Sequence, residues 1–312
     1  PHLVTLLEFP VLFLGASAEK MPALYSLMAY SALKQGTFYP MGGFNTVIKS
    51  LVNLCSDLGV EFITDQAVKK INIENKKANS VTINNNEIIK TDFVIASADY
   101  AHVEKDLIDK KYRNYSKEYW DNRSFSPSSL IFYLGINTKV KKLIHHNLFF
   151  DEDIKEFTKE IYDYKIWPKK PLFYVCCPSK SDEDVAPQGK ENIFVLMPIP
   201  IGIEDTEQIR EKYYSIIINR LEEYCGHKID DRVEYKKSYC IKDFEKDYNS
   251  YKGNAYGLAN TLSQTANLKP KIINRKISNL FYTGQLTVPG PGVPPSLISG
   301  KIVADYILKT TK

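Results

Sequence analysis

The sequence has no long apolar run, few cysteines and no strong excess of either charge, and each absence excludes a class of protein. No stretch approaches the roughly 18 apolar residues of a membrane-spanning helix, so we expect no transmembrane segment, and no signal peptide opens the chain. The five cysteines form no CxxC pair and no metal-ligand spacing. This predicts reduced thiols, with neither a disulfide framework nor a metal site.

The charge is small and dispersed. The formal net charge is +4, from 41 basic and 37 acidic residues, and no basic stripe interleaved with aromatics appears. We therefore expect no nucleic-acid binding, although scattered lysines could be weakly attracted to an anionic lipid surface. No Gly-x-Ser-x-Gly elbow, P-loop or HExxH motif is present, so no hydrolase or nucleotide-hydrolysing chemistry is indicated.

The stretch from Asn279 to Gly300 is the most informative part of the chain. Its first residues form a short apolar run that ends at Gly284, which predicts a buried strand. Two prolines, which fix φ, and two glycines, which adopt angles that side chains forbid, predict an ordered turn across residues 289–292. Two more prolines at positions 294 and 295 suit the first turn of a helix, and the apolar spacing continues to Leu308.

A strand, a glycine-containing turn and a helix N-terminus together present free N–H groups and the positive end of a helix dipole. Such an arrangement suits a flat, anionic or electron-rich ligand and indicates a cofactor site. The same features would also form a tight strand-to-helix connection that binds nothing, because glycine–proline turns are common. Spacing alone leaves both interpretations open.

This stretch resembles the C-terminal signature of the carotenoid desaturases, a flavoenzyme family typified by bacterial phytoene desaturase. In that family an aromatic-rich strand, a glycine, a Thr-x-Pro-Gly-x-Gly-Val-Pro turn and a helix bearing Ser-Gly close over the flavin. The same features follow one another here from Phe281 to Gly300. The resemblance therefore implies FAD as the cofactor.

The resemblance also implies particular cofactor contacts. Gly284 would allow close approach of the ribityl-phosphate part of FAD. The N–H of Val293, between Gly292 and Pro294 at the helix start, would face the pyrimidine edge of the flavin ring. Gln285 stands where many flavoproteins carry an acidic residue, and an uncharged residue at this position is also seen in the family.

A second glycine-rich segment lies nearer the beginning of the chain. The diglycine Gly42-Gly43 allows backbone or ligand to approach closely. Asn45 is predicted to cap a helix with a broad apolar face, and residues 60–63 are predicted to form a strand. This order resembles the return of the chain into the FAD domain of amine-oxidase-like flavoproteins, which implies that both glycines lie at the cofactor. A plain helix start is the alternative.

Alternating apolar and polar residues at 67–74, 80–83 and 87–89 predict a small three-stranded meander. The resemblance to flavoproteins with two dinucleotide-binding domains implies that the main chain of Val68 contacts the adenine edge. This role is compatible with Val68 as a packed strand residue. A buried strand is predicted across residues 91–99. We expect Asp99 to be a polar cap at its end rather than a catalytic group.

Residues 100–278 differ in composition from the preceding part, and they predict aromatic-rich strands separated by helices. The predicted strands are 130–135, 172–176 and 193–197, and the predicted helices are 151–164 and 206–225. A sheet covered by helices, with an apolar inner face, predicts a cavity for a hydrophobic ligand. The family resemblance continues here, at Leu134-Gly-Ile-Asn137, His145-His-Asn147, Asp184-Val-Ala-Pro-Gln-Gly189, Met197-Pro-Ile-Pro200, Asp243-Phe244 and from Tyr251 to Gln264.

His145 and His146 are the first candidates for acid–base chemistry, because histidine titrates near neutral pH. Adjacent residues of an extended segment point to opposite faces, so we expect at most one of them to face a cavity. Hydrogen-bonded structural histidines are the alternative. Cys176 and Cys177 have no cation or helix N-terminus close in sequence, so no reactive thiolate is expected. The catalytic residues are left unassigned.

We predict a mixed α+β and α/β chain with the fold of two-dinucleotide-binding-domain, amine-oxidase-like flavoproteins. Residues 1–37 would belong to a helical part of the substrate region, 38–99 to a partial FAD domain, 100–278 to a substrate domain of sheet and helices, and 279–312 to the return into the FAD domain. The chain begins with Pro1 and lacks the family's glycine-rich pyrophosphate-binding turn. We therefore expect the C-terminal part of a longer protein, carrying half of the FAD site.

The resemblance implies an FAD-dependent desaturase of C40 carotenoids, with phytoene converted to lycopene by successive dehydrogenations as the first choice. Another carotenoid desaturase, isomerase or oxygenase of the family, such as a hydroxycarotenoid 3,4-desaturase, is an alternative. A non-catalytic isoprenoid carrier is a further alternative. The implied location is cytoplasmic, peripherally attached to the membrane surface that holds the carotenoid. The oligomeric state is left open.

Overall fold

The computed structural model describes residues 2–310, so Pro1, Thr311 and Lys312, at the outer ends of the predicted parts 1–37 and 279–312, lie outside the described residues. The α-helices are α1 His2–Glu8, α2 Ser26–Tyr30, α3 Phe44–Asp57, α4 Tyr100–His102, α5 Lys117–Asp121, α6 Ile154–Thr158, α7 Glu207–Cys225, α8 Ile241–Tyr248 and α9 Val293–Thr310. The strands are β1 Val68–Glu74, β2 Lys77–Ile83, β3 Ile88–Lys90, β4 Val94–Ala96, β5 Ser128–Ile136, β6 His146–Phe149, β7 Phe173–Cys176, β8 Glu191–Ile199, β9 Val233–Tyr239 and β10 Leu280–Tyr282.

The chain forms two compact units, each described by itself. Unit 1 comprises Pro1–Pro10, Leu24–Phe62 and Ser128–Lys242, and unit 2 comprises Val11–Ala23, Ile63–Pro127 and Asp243–Lys312. The division into residues 1–37, 38–99, 100–278 and 279–312 that the sequence suggests stays a prediction.

Unit 1 is built on one antiparallel sheet with the strand order β6-β7-β8-β5-β9. Successive side chains of a strand point to opposite faces, and β8 accordingly alternates buried and half-buried residues before its last three, which are all buried. The long helix α7 shares one apolar core with the sheet, and the ring of its Tyr214 lies 5.4 Å from that of Phe132 on β5. The predicted strands and helices of this region are confirmed.

Unit 2 contains the predicted meander, β1-β2-β3, and a separate parallel pair, β4 with β10. Asn279, immediately before β10, links the two. Its Oδ1 accepts from the amide of Ala78 at 2.8 Å, and its Nδ2 donates to the carbonyls of Ala78 at 2.7 Å and Asp92 at 2.6 Å. One buried amide side chain therefore fixes the start of β10 against the meander.

A buried polar network surrounds the end of β10. The ring of Tyr282 stacks on Tyr100, with centroids 3.8 Å apart, and its hydroxyl donates to Glu104 at 3.3 Å. Glu104 also accepts from the amides of Asn114 at 2.6 Å and Tyr115 at 3.0 Å. Burial raises the pKa of Glu104 to about 7, because these donors only partly replace the water that the carboxylate has lost.

Asp99 is the N-cap of helix α4, whereas a polar cap at the end of a strand was predicted. Its side chain accepts from the amides of Ala101 at 2.9 Å and His102 at 3.2 Å at the start of α4, and from the amide of Tyr251 at 3.2 Å. Burial raises the pKa of Asp99, while these hydrogen bonds act in the opposite direction.

Three local predictions are wrong. The strand predicted as buried across residues 91–99 is the short β4, which has no buried residue, and its Ile95 is 49% exposed. Residues 60–63 lie in no strand, and Val60 and Phe62 are each 49% exposed. The segment is apolar, but a strand also needs a neighbour to accept its hydrogen bonds, and none is paired with it among residues 2–310. Asn45 does not cap α3, because the N-cap is Gly43, whose φ of +79° suits glycine.

The helix predicted after the diglycine is confirmed as α3, but its apolar face is not buried. No α3 residue is buried, and Ile48 and Leu54 are 54% and 55% exposed. Separately, none of the helices within residues 2–310 combines the length and the apolar character needed to span a bilayer.

Candidate cofactor site

The connection between β10 and α9 adopts the predicted strand, turn and helix. Gly284 has φ +95°, a backbone conformation that side chains rarely adopt. Its amide donates to the buried Ser299 Oγ at 2.9 Å, while its carbonyl accepts from the amide of Thr287 at 3.0 Å and from the hydroxyl of Thr287 at 2.9 Å. These bonds hold the turn against α9, and they leave Gly284 to contribute close approach rather than a free donor.

The start of α9 is open but poor in donors. Gly292, Val293 and Pro294 are all exposed, Val293 by 50%. The prolines at 294 and 295 have no N–H, and the amide of Ser296 already donates to the carbonyl of Gly292 at 3.0 Å. The amide of Val293 is therefore the one first-turn donor that has no acceptor by its position in the helix.

Gln285 is held by a neighbouring loop. Its Nε2 donates to Asn254 Oδ1 at 3.2 Å, and that same oxygen accepts from the amide of Gly257 at 2.9 Å. A Cβ on Gly257 would lie 3.0 Å from the carbonyl oxygen of Gln285, and Gly257 has φ +73°. This close packing requires glycine at position 257 and fixes the backbone of the β10–α9 turn.

Gly42 and Gly43 lie in unit 1, whereas the remaining predicted cofactor residues lie in unit 2. The amide of Gly42 donates to Asp182 Oδ2 at 2.6 Å, and this bond holds the pKa of Asp182 below its usual range. The amide of Gly43 donates to the carbonyl of Pro40 at 2.9 Å. Both amides are thus occupied, so the diglycine could serve a cofactor by close approach and not by donating these hydrogen bonds.

Val68 opens β1 in unit 2 and pairs with Ile83 of β2. It is 37% exposed, and the strand register shifts between Val68 and Lys70. A register irregularity releases backbone groups from the ladder. The predicted main-chain contact with an adenine ring stays a prediction.

The structure also brings polar residues to this turn that the sequence did not indicate. A Cβ built on Gly290 would lie 3.2 Å from Lys269 Cε, 3.5 Å from Lys269 Nζ and 3.6 Å from Asn260 Oδ1. Both side chains are 2% exposed, and neither of these two polar atoms has a hydrogen-bond partner among the described residues. A lysine between apolar and turn residues carries no pattern of its own, so only the folded arrangement reveals it.

In unit 1, the rings of His145 and His146 lie close together instead of on opposite faces, but His146 lines the cleft described below and His145 does not, so the expectation that at most one faces a cavity is met. Their rings are 4.3 Å apart, because His145 precedes β6 and is not part of its regular pleat. Each has a partner: Ser181 Oγ lies 2.8 Å from Nδ1 of His145, and Tyr174 Oη lies 2.6 Å from Nδ1 of His146. Burial lowers the pKa of both imidazoles, as in hydrogen-bonded neutral histidines.

Ligating atoms of these two histidines and of Cys176 lie within 4.8 Å of one another. His146 also lines a cleft of about 750 Å³ whose wall includes the apolar residues Ile144, Leu148 and Phe149. Burial raises the pKa of the Cys176 thiol, so a reactive thiolate is not favoured. All five cysteines are free.

Comparisons with known proteins identify the family to which this chain belongs. A family model described as flavin containing amine oxidoreductase matches residues 1–308. The chain is 37% identical over 309 residues to a carotenoid 3,4-desaturase of Haloarcula japonica, with 99% of this chain and 62% of that protein covered. It is 27% identical over 309 residues to a zeta-carotene-forming phytoene desaturase of Myxococcus xanthus, with 97% and 58% covered.

A solved oxidoreductase from Methanosarcina mazei has a similar fold, with a TM-score of 0.63 and 18% identity over 97% of this chain and 64% of that one. The chain spans less than two thirds of the length of the two desaturases. The predicted amine-oxidase-like flavoprotein fold and the resemblance to carotenoid desaturases are both confirmed. The chain belongs to the family of flavin-containing amine oxidoreductases.

Proposed function

We propose that the protein to which this chain belongs is an FAD-dependent oxidoreductase that desaturates a carotenoid. The observation that carries the proposal is the β10–α9 connection. It combines a glycine at φ +95°, an exposed helix start and two buried polar atoms, Lys269 Nζ and Asn260 Oδ1, that have no hydrogen-bond partner within residues 2–310. A carrier of isoprenoids would have no use for such a turn, which is why the non-catalytic alternative is less well supported.

The residues of unit 2 fit a flavin. The buried polar atoms Lys269 Nζ and Asn260 Oδ1, which have no partner in the described part of the chain, border the turn and would suit a polar ligand. Gly284 and Val293 would hold the cofactor by close approach and by one amide, Gln285 would support the turn through Asn254, and Gly292 with Pro294 would shape the helix start. Gly42, Gly43 and Val68 are proposed as further contacts.

Bound FAD would accept the two hydrogens that leave the substrate, which is the difficult part of breaking two unactivated C–H bonds. The residues of this chain would then bind and orient the substrate and exclude water from it. The apolar core of the five-stranded sheet gives unit 1 a rigid frame, and the cleft beside β6 offers an apolar wall on that unit. The sequence and the structure single out no general acid or base for this reaction, so the catalytic residues remain unassigned.

The position of the new double bond is the finer question. Similarity to a carotenoid 3,4-desaturase at 37% identity favours 3,4-desaturation, and similarity to a phytoene desaturase at 27% favours the phytoene-to-lycopene series. Isomerisation or oxygenation of a carotenoid by the same fold remains the further alternative. Incubating the full-length protein with phytoene, neurosporene and 1-hydroxylated carotenes, and reading product spectra, separates these reactions. Conversion of phytoene would support phytoene desaturation, and reaction of hydroxylated substrates alone would eliminate it.

Residues 1–312 alone are expected not to retain FAD. The proposal places the remaining contacts, above all those to the pyrophosphate, in a part of the protein outside this chain. Expression of residues 1–312 beside the full-length protein tests this, with flavin absorbance measured after gel filtration. A colourless fragment and a yellow full-length protein are expected, and a yellow fragment would contradict the division of the site.

We further propose that the protein works on a membrane surface at the cytoplasmic side, where a C40 hydrocarbon is stored. Exposed leucines on α1, such as Leu3 at 75% and Leu7 at 52%, support a contact with lipid. Flotation of the full-length protein with phosphatidylglycerol vesicles should carry it upward, and replacement of both leucines by serine should reduce the floating fraction. Unchanged flotation of the double variant would exclude α1 as the contact.

A further inference from the structure

Several buried polar atoms of unit 2 have no hydrogen-bond partner among the described residues, including Gln66 Oε1, Arg113 Nε and Trp120 Nε1. Three others are Lys269 Nζ, Asn260 Oδ1 and Ser126 Oγ. The three side chains are 2%, 2% and 0% exposed. Buried polar groups in folded proteins are nearly always hydrogen-bonded, and a buried ammonium without a partner is especially unfavourable. These atoms therefore indicate a polar group that the described residues do not supply.

The three atoms belong to one region. A Cβ on Gly290 would meet both Lys269 Nζ at 3.5 Å and Asn260 Oδ1 at 3.6 Å, and a Cβ on Gly15 would meet Ser126 Oγ at 2.8 Å. The amide of Asn260 donates to the carbonyl of Leu14 at 2.8 Å, which connects the two glycine positions. Segments far apart in sequence thus bring one amine and two oxygens against glycine backbone.

We propose that Lys269 supplies the buried positive charge of the cofactor site, with Asn260 as the hydrogen-bond acceptor beside it. This inference rests on the proposed function. The start of α9 has one free first-turn amide, at Val293, so the helix end by itself offers little to a negatively charged ring. A cation against Gly290, three residues before the helix start, would supply the positive charge that the N–H groups missing at the two prolines do not.

The chemistry of the pair matches a flavin. The pyrimidine edge of the flavin ring carries carbonyl oxygens, which accept from an ammonium, and a ring N–H, which donates to an amide oxygen. Two-electron reduction with uptake of one proton leaves the flavin with one more negative charge, and a nearby buried cation favours that state. Lys269 is in this sense a positioning and charge-supplying residue, and no proton transfer to the substrate is assigned to it.

The pKa of the Lys269 amine agrees with this role. Burial lowers the pKa of Lys269 to about 8, so the side chain keeps most of its charge at neutral pH. An anionic neighbour would raise the pKa again by favouring the charged form. A lysine without such a neighbour would only cost stability.

The test uses the full-length, FAD-loaded protein and three variants. Lys269→Met removes the charge and keeps the length of the side chain, Lys269→Arg keeps the charge, and Lys271→Met is the matched control on an exposed lysine two residues away. The flavin reduction potential is measured by equilibration with a reference dye. In Lys269→Met the reduced form should be disfavoured about tenfold or more, which is about 30 mV for a two-electron couple. Lys271→Met should match the wild type, and Lys269→Arg should lie closer to the wild type than Lys269→Met does.

A second readout separates this role from a structural one. In protein freed of FAD, Lys269→Met should raise the melting temperature, because it removes a buried charge that has no partner. In the FAD-loaded protein the stabilisation gained from the cofactor should shrink, because FAD then binds less tightly. Lower stability of the FAD-free variant together with an unchanged potential would overturn the inference, since a lysine satisfied by bridging water behaves in that way. Full-length wild-type protein that holds no FAD would instead refute the proposed function.

Discussion

The buried carboxylate Glu104 makes the stability of unit 2 depend on pH. It is 1% exposed, and burial raises its pKa from 4.5 to about 7. Folding therefore favours the protonated form, so the native state binds more protons than the unfolded chain between these two pH values. The contribution of Glu104 to stability is complete below about pH 4.5 and is lost as the pH rises through about 7.

The size of this effect follows from the shift. Each unit of pKa difference corresponds to about 1.4 kcal/mol, so the contribution changes by roughly 3 kcal/mol across the window. Glu104→Gln carries no titrating proton, and the difference in free energy of unfolding between wild type and variant isolates the single group. We expect the free energy of unfolding of the wild type, relative to that of Glu104→Gln, to fall by roughly 3 kcal/mol between pH 4.5 and 7.5.

Urea unfolding followed by tryptophan fluorescence at half-unit steps of pH measures this difference, and Trp120 in unit 2 is a buried reporter, 4% exposed. Glu118→Gln is the control with the opposite slope. The backbone amide of Glu118 itself, at the start of α5, lowers the pKa of that carboxyl, so its charged form is the stabilising one. A difference for Glu104→Gln that stays flat across the window would refute the assignment of a raised pKa to Glu104.

Two further substitutions test packing and a buried ion pair. At Gly15, with φ +97°, a Cβ would lie 2.6 Å from its nearest neighbour, so Gly15→Ala should cost about 3 kcal/mol or more in urea unfolding. Gly59→Ala, with φ +87° and open space around it, should cost only about 1 kcal/mol, and equal costs would contradict the clash. Lys180→Met removes the 2.6 Å partner of the buried Glu191 and leaves it with Lys139 at 3.6 Å, so the change should cost at most about 3 kcal/mol. Lys170→Met, on a 73% exposed lysine, should change stability by less than about 1 kcal/mol, and a similar loss there would undermine the distinction.

Sequence patterns predicted the elements whose stability depends on local periodicity. The meander and strands β5, β7 and β8 carry alternating or continuous apolar residues, and the structure pairs all of them. Strand β9 escaped prediction because its sequence, Val-Glu-Tyr-Lys-Lys-Ser-Tyr, is largely polar and exposed. Lysine is typical of sheet edges, where it prevents pairing with another chain, and β9 is such an edge. Residues 60–63 show the converse, because an apolar run without a hydrogen-bonding neighbour forms no strand.

The residues of the candidate site also differ in whether a local sequence pattern could indicate them. Gly284, Gly292 and Pro294 could be proposed from the sequence as cofactor contacts, because turn chemistry and the family resemblance are both local in sequence. Lys269 and Asn260 could not, because their proposed role depends on the burial of a charge, and that burial follows from the folded arrangement that brings both side chains against Gly290. The two prolines that mark the helix start so clearly in the sequence also remove its N–H donors. If the proposed site is correct, the start of α9 offers few N–H donors to a negatively charged ligand, and Lys269 supplies the positive charge from another part of the chain. The same reasoning directs attention in related glycine–proline turns to buried, unpartnered cations rather than to the turn alone.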